Sequence, residues 1–171
     1  KIEKEMQIKP DVILNVQGDE PFIDPDSIRL LISCFKKPST HIGTLIKPFH
    51  EKDELFSSNN VKVVINTHGQ ALYFSRATIP YVRNYDPSQW IDKHTYYKHL
   101  GIYAYRRDVL SEIVALQPSS LEIAESLEQN RWIENGYTLM TAITDKESLA
   151  VDTPEDLEHI QRLMDNDELV L

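Results

Sequence analysis

The chain has 171 residues, 41% of them hydrophobic and 26% charged, which is typical of one globular domain with a sizeable core. Its 27 acidic and 18 basic residues give a formal net charge of -9, which argues against a nucleic-acid-binding surface. Cys34 is the only cysteine, which excludes an internal disulfide and agrees with a reducing cytoplasm, and no run of 18 apolar residues could span a membrane.

The first predicted strand ends in acidic residues. Residues 11–16 (DVILNV) predict a buried strand, and residues 17–21 (QGDEP) follow it with two carboxylates. Gly, Asp and Pro are ordinary turn residues, but a plain turn does not account for this much acid. A helix is expected next, with Asp24 as its N-cap and Pro25 in its first turn.

The middle of the chain predicts a β-hairpin between a strand and a loop. Residues 41–46 (HIGTLI) indicate the next strand. Residues 61–65 and 71–74 predict the hairpin, with its turn near Gly69. Residues 80–98 are rich in Pro, Tyr and charge and predict a long loop.

The last part of the chain predicts alternating strands and helices. They are a strand at 100–105, a helix capped by Asp108, a helix opened by a Ser119–Glu122 capping box and ended by Gly136, strands at 137–143 and 148–151, and a last helix from Thr153 and Pro154. Such alternation predicts an α/β layered fold, here as a single domain over residues 1–171.

Two aspartates each follow a predicted strand. Asp19 comes just after the 11–16 strand, and Asp152 comes just after the 148–151 strand, before a helix. If both strands are parallel in one sheet, both carboxylates lie at the same edge, where open α/β sheets bind ligands. Mg²⁺ is typically held by one or two carboxylates together with substrate phosphates. The alternative is that Asp19 is a turn residue and Asp152 a helix-start residue.

Five segments, in this order, carry a family resemblance: NVQGDEPFI, YFSRATIPY, HLGIYAYRRDVL, SLEIAESLEQNRWIENG and VDTPEDLE. Together they resemble the 3-deoxy-manno-octulosonate cytidylyltransferases (CMP-Kdo synthetases). The resemblance implies a Rossmann-like α/β fold of the nucleotide-sugar pyrophosphorylase type, with a mixed, mostly parallel sheet, flanking helices and a β-hairpin excursion. It also implies transfer of a cytidylyl group from CTP to 3-deoxy-manno-octulosonate (Kdo), giving CMP-Kdo and pyrophosphate for lipopolysaccharide biosynthesis in the cytoplasm.

The same resemblance implies roles for individual residues. Asp19 and Asp152 would hold Mg²⁺ at the α-phosphate of CTP, and Gln17 would lie near the sugar and that phosphate. Arg76 would bind the sugar carboxylate, which a guanidinium group suits well. The alternative for Arg76 is an ordinary surface arginine beside a strand end.

Four further residues are expected to face the sugar hydroxyls. His99 and Tyr103 are four residues apart on a predicted strand, so their side chains should lie on the same face. Glu128 and Gln129 match the family's hydroxyl-binding pair. The alternatives are core packing for Tyr103 and a charged helix face for the pair.

The family's N-terminal strand and the basic loop that holds the triphosphate of CTP have no counterpart in this chain. The chain opens with KIEKEMQIKP and lacks an initiator Met, so we expect its natural N-terminus to lie upstream. We therefore expect the chain alone to make no CMP-Kdo. A cytidylyltransferase for another acidic sugar and a catalytically silent nucleotide-sugar-binding domain are the alternative functions.

The resemblance also implies a homodimer. The segment 41–98 (the excursion) and the strand at 100–105 are expected to form most of the interface, because the hairpin within the excursion is too short to be stable alone. The loop that follows the hairpin carries Tyr81, Tyr85 and Trp90, and large aromatic residues are enriched in interfaces.

Overall fold

The computed structural model describes residues 8–16, 23–146, 158, 161 and 162. Its strands are β1 (Val12–Asn15), β2 (Ile42–Pro48), β3 (Lys62–Ile65), β4 (Ala71–Ser75), β5 (Tyr97–Arg106) and β6 (Leu139–Ile143). Its α-helices are α1 (Pro25–Ser33), α2 (Lys52–Phe56), α3 (Trp90–Lys93), α4 (Arg107–Ile113), α5 (Ser120–Glu125) and α6 (Glu128–Glu134). One short 3₁₀ turn, Cys34–Lys36, follows α1, and another, Pro87–Gln89, precedes α3. Among the described residues, no helix has the length and apolar character needed to cross a bilayer.

The long strand β5 organises the sheet. The strand order is β4-β3-β5-β2-β6, and β1 also pairs with β5. Strand β2 lies along one edge of β5, while β3 and β1 share the other edge, β3 beside Tyr97 and Lys98 and β1 beside residues 103–106. Strand β5 therefore joins the hairpin to the rest of the sheet.

The structure contains the expected mixed sheet with flanking helices, in which β1, β2, β3 and β6 run in one direction and β4 and β5 run in the other. Among the described pairings, β2–β6 is parallel, and β1–β5, β2–β5, β3–β4 and β3–β5 are antiparallel. The antiparallel pairings follow from the path of the chain, which leaves β2, forms the hairpin and returns beside β2 as β5. Strands that run in the same direction need a longer connection, and the chain passes through α1 between β1 and β2 and through α4, α5 and α6 between β5 and β6.

Hydrophobic clusters cover both faces of the sheet. Tyr103 and Tyr105 point towards α4 and α6, where Trp132 packs against both rings. Ile102 and Ala104 point to the opposite face and pack with Leu31 of α1. This alternation is the two-residue period expected of a strand that is buried on both faces.

Gly43 of β2 permits the close approach of α1. A Cβ atom at this position would lie 3.0 Å from the Phe35 ring and 3.2 Å from a methyl carbon of Leu31. A larger residue would push the helix away from the sheet.

The excursion has a small core of its own. Phe49, Leu55, Trp90 and Tyr96 form a separate cluster, and Trp90 is only 5% exposed. The expected loop at 80–98 therefore contains helix α3 and the start of β5. Trp90 is a core residue of this segment, because its ring packs inward and its Nε1 donates to the carbonyl of Tyr85 at 3.1 Å.

The hairpin is also tied to the far edge of the sheet. Gly69 has a φ of +78°, which confirms the predicted turn. Its carbonyl accepts from the backbone N–H of Thr141 at 2.8 Å, and Gln70 forms a bridge with Met140 of β6. The outer edge of β4 is met by Asn130, whose Nδ2 donates to the carbonyl of Phe74 at 3.0 Å.

Local signals placed some helix ends correctly and others wrongly. Asp24 caps α1 as predicted, and its carboxylate accepts from the N–H of Asp26 at 2.7 Å. The prediction that Asp108 is a cap was wrong, because β5 runs to Arg106 and α4 begins at Arg107. The single helix expected from Ser119 to Gly136 is divided into α5 and α6.

Candidate functional site

The structure describes five of the predicted site residues: Arg76, His99, Tyr103, Glu128 and Gln129. Gln17, Asp19 and Asp152 lie outside the described residues, as does the predicted strand at 148–151. Their placement stays a prediction.

A bulge in β5 places His99 and Tyr103 on one face. Thr44 pairs with Tyr103 and Ile46 with His99, so the single residue between them on β2 faces three residues of β5. Gly101 lies in this bulge with a φ of +73°, where a residue with a side chain would be strained. The centroids of the His99 and Tyr103 rings are 5.2 Å apart, which confirms the predicted shared face.

His99 is held on several sides. Its ring lies 4.9 Å from the Phe74 ring in an edge contact, and its Nε2 lies 3.0 Å from the hydroxyl of Thr44. Burial lowers the pKa of His99 to about 3, so the ring is neutral at neutral pH.

Tyr103 is largely a packing residue. Its ring is buried and contacts Trp132 with centroids 5.1 Å apart. Burial raises the pKa of Tyr103 well above its usual value, and the neighbouring Tyr105 and Glu128 raise it further. The phenol therefore stays protonated. Its ring packs in the core, as the alternative reading of Tyr103 expected.

Glu128 and Gln129 begin α6 and differ in exposure. Gln129 is buried, whereas the Glu128 side chain is exposed and lies 3.3 Å from Arg131. Glu128 also lines a cavity of about 350 Å³ between β1, β5, α4 and α6, where Asn15, Tyr105 and Trp132 are among its neighbours. Glu128 is the only charged residue among those that line this cavity in the described part of the chain.

Arg76 follows β4 and is bound to the junction of α5 and α6. Its Nε donates to the carbonyl of Glu125 at 2.9 Å, and its Nη1 donates to the carbonyl of Ser58 at 3.1 Å. A longer contact of 3.5 Å joins Nη2 to the carbonyl of Ser126. Because Ser126 lies two residues before Glu128, these contacts place Arg76 beside the segment that leads into α6.

The carboxylate of Glu125 fixes the end of β4. It accepts from the Tyr73 hydroxyl at 3.0 Å, the Ser75 hydroxyl at 2.6 Å and the backbone N–H of Arg76 at 2.9 Å. Burial alone would raise the pKa of Glu125, but hydrogen bonds from Ser75, Arg76 and Tyr73 hold it below its usual value. Glu125 is therefore ionised.

Lys62 is a fully buried cation, with 0% of its surface exposed. Its Nζ donates to the carbonyls of Ser57 at 2.8 Å, Asn60 at 2.8 Å and Arg76 at 2.7 Å. Burial lowers the pKa of Lys62, and the nearby charge of Glu125 opposes this effect. The two positive charges of Lys62 and Arg76 exceed the single negative charge of Glu125. This part of an acidic protein therefore carries a local excess of positive charge.

Comparison with known proteins identifies the family. Residues 2–148 match the family model described as cytidylyltransferase. The chain belongs to the cytidylyltransferase family.

Relatives narrow the resemblance within this family. The chain is 52% identical over 160 residues to the 3-deoxy-manno-octulosonate cytidylyltransferase of Bacteroides thetaiotaomicron, an alignment that covers 91% of this chain and 64% of the relative. It is 52% identical over 152 residues to the enzyme of the same name from Parabacteroides distasonis, covering 86% of this chain and 61% of the relative. The chain thus spans about three fifths of the length of these relatives.

A solved structure supports the fold. A CMP:2-keto-3-deoxy-manno-octonic acid synthetase complexed with CTP matches this chain with a TM-score of 0.84 and 40% sequence identity. The match covers 97% of this chain and 66% of that chain. These findings confirm the family resemblance and the fold class predicted from the sequence.

Three residues that contact the candidate site residues were not predicted from the sequence: Thr44, Lys62 and Glu125. The position of Lys62 was a usable signal, because it is a lysine among the valines of a predicted strand. A lysine that is buried in a strand almost always has polar or charged partners, so partners could have been sought. Glu125 and Thr44 had none, because their roles depend on contacts with distant parts of the chain.

The predicted metal ligands Asp19 and Asp152 lie outside the described residues. Among the residues that the structure describes, no group of three His, Cys, Asp or Glu side chains could hold a metal ion. The predicted ligands Asp19 and Asp152 are carboxylates, which suit Mg²⁺ by their chemistry.

Proposed function

We propose that the whole protein to which this chain belongs transfers the cytidylyl group of CTP to Kdo, giving CMP-Kdo and pyrophosphate, for lipopolysaccharide biosynthesis in the cytoplasm. The observation that carries the proposal is the position of Arg76 at the α5–α6 junction, close to the start of α6 where Glu128 and Gln129 lie. The residue expected to bind the carboxylate is thus held by the segment that leads into the residues expected to bind the hydroxyls, which supports a sugar acid as substrate. The names of the relatives indicate which sugar acid to test first.

Arg76 is suited to the carboxylate of Kdo. A guanidinium group has five N–H donors, and the contacts with described residues use three of them. One N–H on each terminal nitrogen is left for a ligand, which is the arrangement that binds a carboxylate with two parallel hydrogen bonds. The buried charge of Lys62 adds to the attraction for an acidic substrate.

The remaining groups suit the hydroxyls of the sugar. Glu128 is exposed at its cavity and can accept hydrogen bonds, and Gln129 can both donate and accept. Tyr103 and His99 are neutral at neutral pH, so they offer hydrogen bonds without adding charge.

Asp19 and Asp152 would hold Mg²⁺, with Gln17 near the α-phosphate. The ion would polarise the α-phosphate and offset negative charge on the leaving pyrophosphate. This chain's own residues would hold the sugar acid so that its anomeric hydroxyl can attack the α-phosphate of CTP.

Two measurements test the function. Pyrophosphate release from CTP by a longer protein that contains this chain is followed with Kdo and with a sialic acid as alternative acceptors, and the Bacteroides thetaiotaomicron relative serves as the positive control. Kdo binding to the 171-residue chain is measured by calorimetry, beside the variants Arg76→Gln and Arg83→Gln, the second being an exposed arginine of the excursion.

We expect Kdo to bind, Arg76→Gln to weaken binding at least tenfold, and Arg83→Gln to leave it unchanged. No turnover is expected from the chain alone. A preference for sialic acid would indicate a cytidylyltransferase for another acidic sugar. Absence of any sugar or nucleotide binding would contradict the proposal.

We infer that the protein forms a homodimer through the excursion. Tyr81 is 73% exposed, and Tyr85 and Phe56 are also exposed. The centroids of the Tyr81 and Trp90 rings are 4.8 Å apart, so Tyr81 packs on a buried residue of the excursion. The rest of its ring is exposed and could contact a partner. Exposed aromatic rings on a rigid base are typical of interface residues.

Light scattering tests the dimer with two matched variants. Tyr81→Glu should produce a monomer, whereas Val114→Glu changes a residue that is 72% exposed outside the excursion and should leave the dimer intact. Trp90 is unsuitable for this test because its replacement would disrupt the core of the excursion. A monomer mass for the unmodified chain at micromolar concentration would contradict the inferred dimer.

A further inference from the structure

Thr44 makes two contacts that together settle where its proton lies. It is fully buried in β2, beside the bulge of β5. Its Oγ1 lies 2.7 Å from the carbonyl oxygen of Ile102 and 3.0 Å from Nε2 of His99. A hydroxyl has one proton, and a carbonyl oxygen can only accept. The proton of Thr44 therefore goes to Ile102, because the other assignment would leave two oxygens 2.7 Å apart with no proton between them.

This assignment determines the tautomer of His99. Since the Thr44 hydroxyl has given its proton to Ile102, its oxygen can only accept from the imidazole, and Nε2 of His99 must carry a proton. The ring is neutral at neutral pH, so Nδ1 carries none. Nδ1 receives no hydrogen bond from any residue that the structure describes.

Neighbouring rings keep the imidazole from turning over. Phe74 lies against one part of the ring, with centroids 4.9 Å apart, and Tyr103 lies 5.2 Å away on β5. The backbone N–H of His99 is bound to the carbonyl of Val61 at 2.9 Å. The side chain is thus held in one orientation, with one nitrogen bound and one available.

We propose that Thr44 is a positioning residue that holds His99 in the Nε2–H tautomer and presents Nδ1 as a hydrogen-bond acceptor for a hydroxyl group of the sugar substrate. The substrate half rests on the proposed function, whereas the tautomer half rests on contacts within this chain. A neutral acceptor favours a hydroxyl and disfavours a carboxylate or phosphate, so His99 and Arg76 would contact different parts of a sugar acid.

Nuclear magnetic resonance of the ¹⁵N-labelled chain at pH 7 tests the tautomer. Long-range ¹⁵N–¹H correlations of the imidazole rings should show a proton on Nε2 of His99 and none on Nδ1. In Thr44→Val, which keeps the shape but lacks the acceptor, the Nε2 proton should exchange with water at least tenfold faster. Thr44→Ser should restore the slow exchange. The exposed His50 is the internal control and should be unchanged in all variants.

A proton on Nδ1 of His99 in the unmodified chain would overturn the proposal, as would unchanged exchange in Thr44→Val. If Thr44→Val fails to fold, the spectra of the unmodified chain and of Thr44→Ser still decide. Addition of Kdo should shift the Nδ1 resonance, and Thr44→Val should weaken Kdo binding about tenfold while Thr44→Ser stays close to the unmodified chain. Kdo binding without a shift of Nδ1 would overturn the substrate half. Absence of Kdo binding would overturn the proposed function and that half, leaving the tautomer result to stand on its own.

Discussion

Replacement of Lys62 by Met tests whether the buried ammonium group holds the end of β4 in place. Met keeps the apolar stem but removes the donor to three carbonyls, those of Ser57, Asn60 and Arg76. The carbonyl of Ser57 keeps a second contact, the N–H of Asn60 at 3.3 Å. In the described part of the chain, the carbonyls of Asn60 and Arg76 have no other backbone donor outside the regular ladders.

The expected loss of stability follows from these contacts. A fully buried carbonyl left without a partner costs about 1–3 kcal/mol, and Asn60 and Arg76 are only partly buried, so the lower end of this range applies and the two together cost about 2 kcal/mol. Removal of the buried charge relieves part of this cost, because desolvation of an ammonium group is itself unfavourable. We therefore expect Lys62→Met to lower the free energy of unfolding by about 1–2 kcal/mol.

Urea unfolding with linear extrapolation measures this change. The control is Lys36→Met, at an exposed lysine of the first 3₁₀ turn, which should change stability by less than about 0.5 kcal/mol. A Lys62→Met variant as stable as the unmodified chain, or more stable, would show that the desolvation cost of Lys62 outweighs its hydrogen bonds and would refute the reasoning.

Three further predictions concern the site. The pKa of His99 is about 3 in the folded chain against 6.5 unfolded, so the unfolded state binds more protons as the pH falls. Its contribution to stability should fall by about 2 kcal/mol between pH 7 and pH 5, and His99→Gln should remove this component from the pH dependence of urea unfolding. Glu125→Gln should cost about 1–3 kcal/mol and weaken Kdo binding, because an amide cannot accept as many hydrogen bonds as the carboxylate; Glu51→Gln, at an exposed position, should do neither. In an active protein that contains this chain, Asp19→Asn and Asp152→Asn should each lower kcat on the order of 10²–10³-fold, and a change confined to the KM for Kdo would contradict the metal role.

Local chemistry made part of the fold predictable. Asp24 with Pro25 marked the start of α1, and Gly69 marked the hairpin turn, because each acts within a few residues of its own position. The shared face of His99 and Tyr103 was also predictable from strand geometry, although the bulge between them was not.

Features that depend on distant contacts could not be predicted. The break between α5 and α6 has Ser126 in the left-handed region, and the carbonyls of Glu125 and Ser126 accept from Arg76, about 50 residues earlier in the chain. The burial of Trp90 depends on a core that only the folded excursion creates. Strand pairing could not be predicted either, because the hydrophobic pattern of β5 does not determine which strands lie beside it or in which direction they run.

The attachment of the hairpin turn to β6 affects how the protein opens. Strands β4 and β6 stand at opposite ends of the strand order, yet Gly69 and Gln70 bind Thr141 and Met140 across the gap. A hairpin joined only through β3 would fray alone, but this one must break its contacts with β6 at the same time. Its amide protons should therefore exchange with solvent at rates close to those of β2 and β5, as members of a single cooperative unit that includes the loop carrying Arg76.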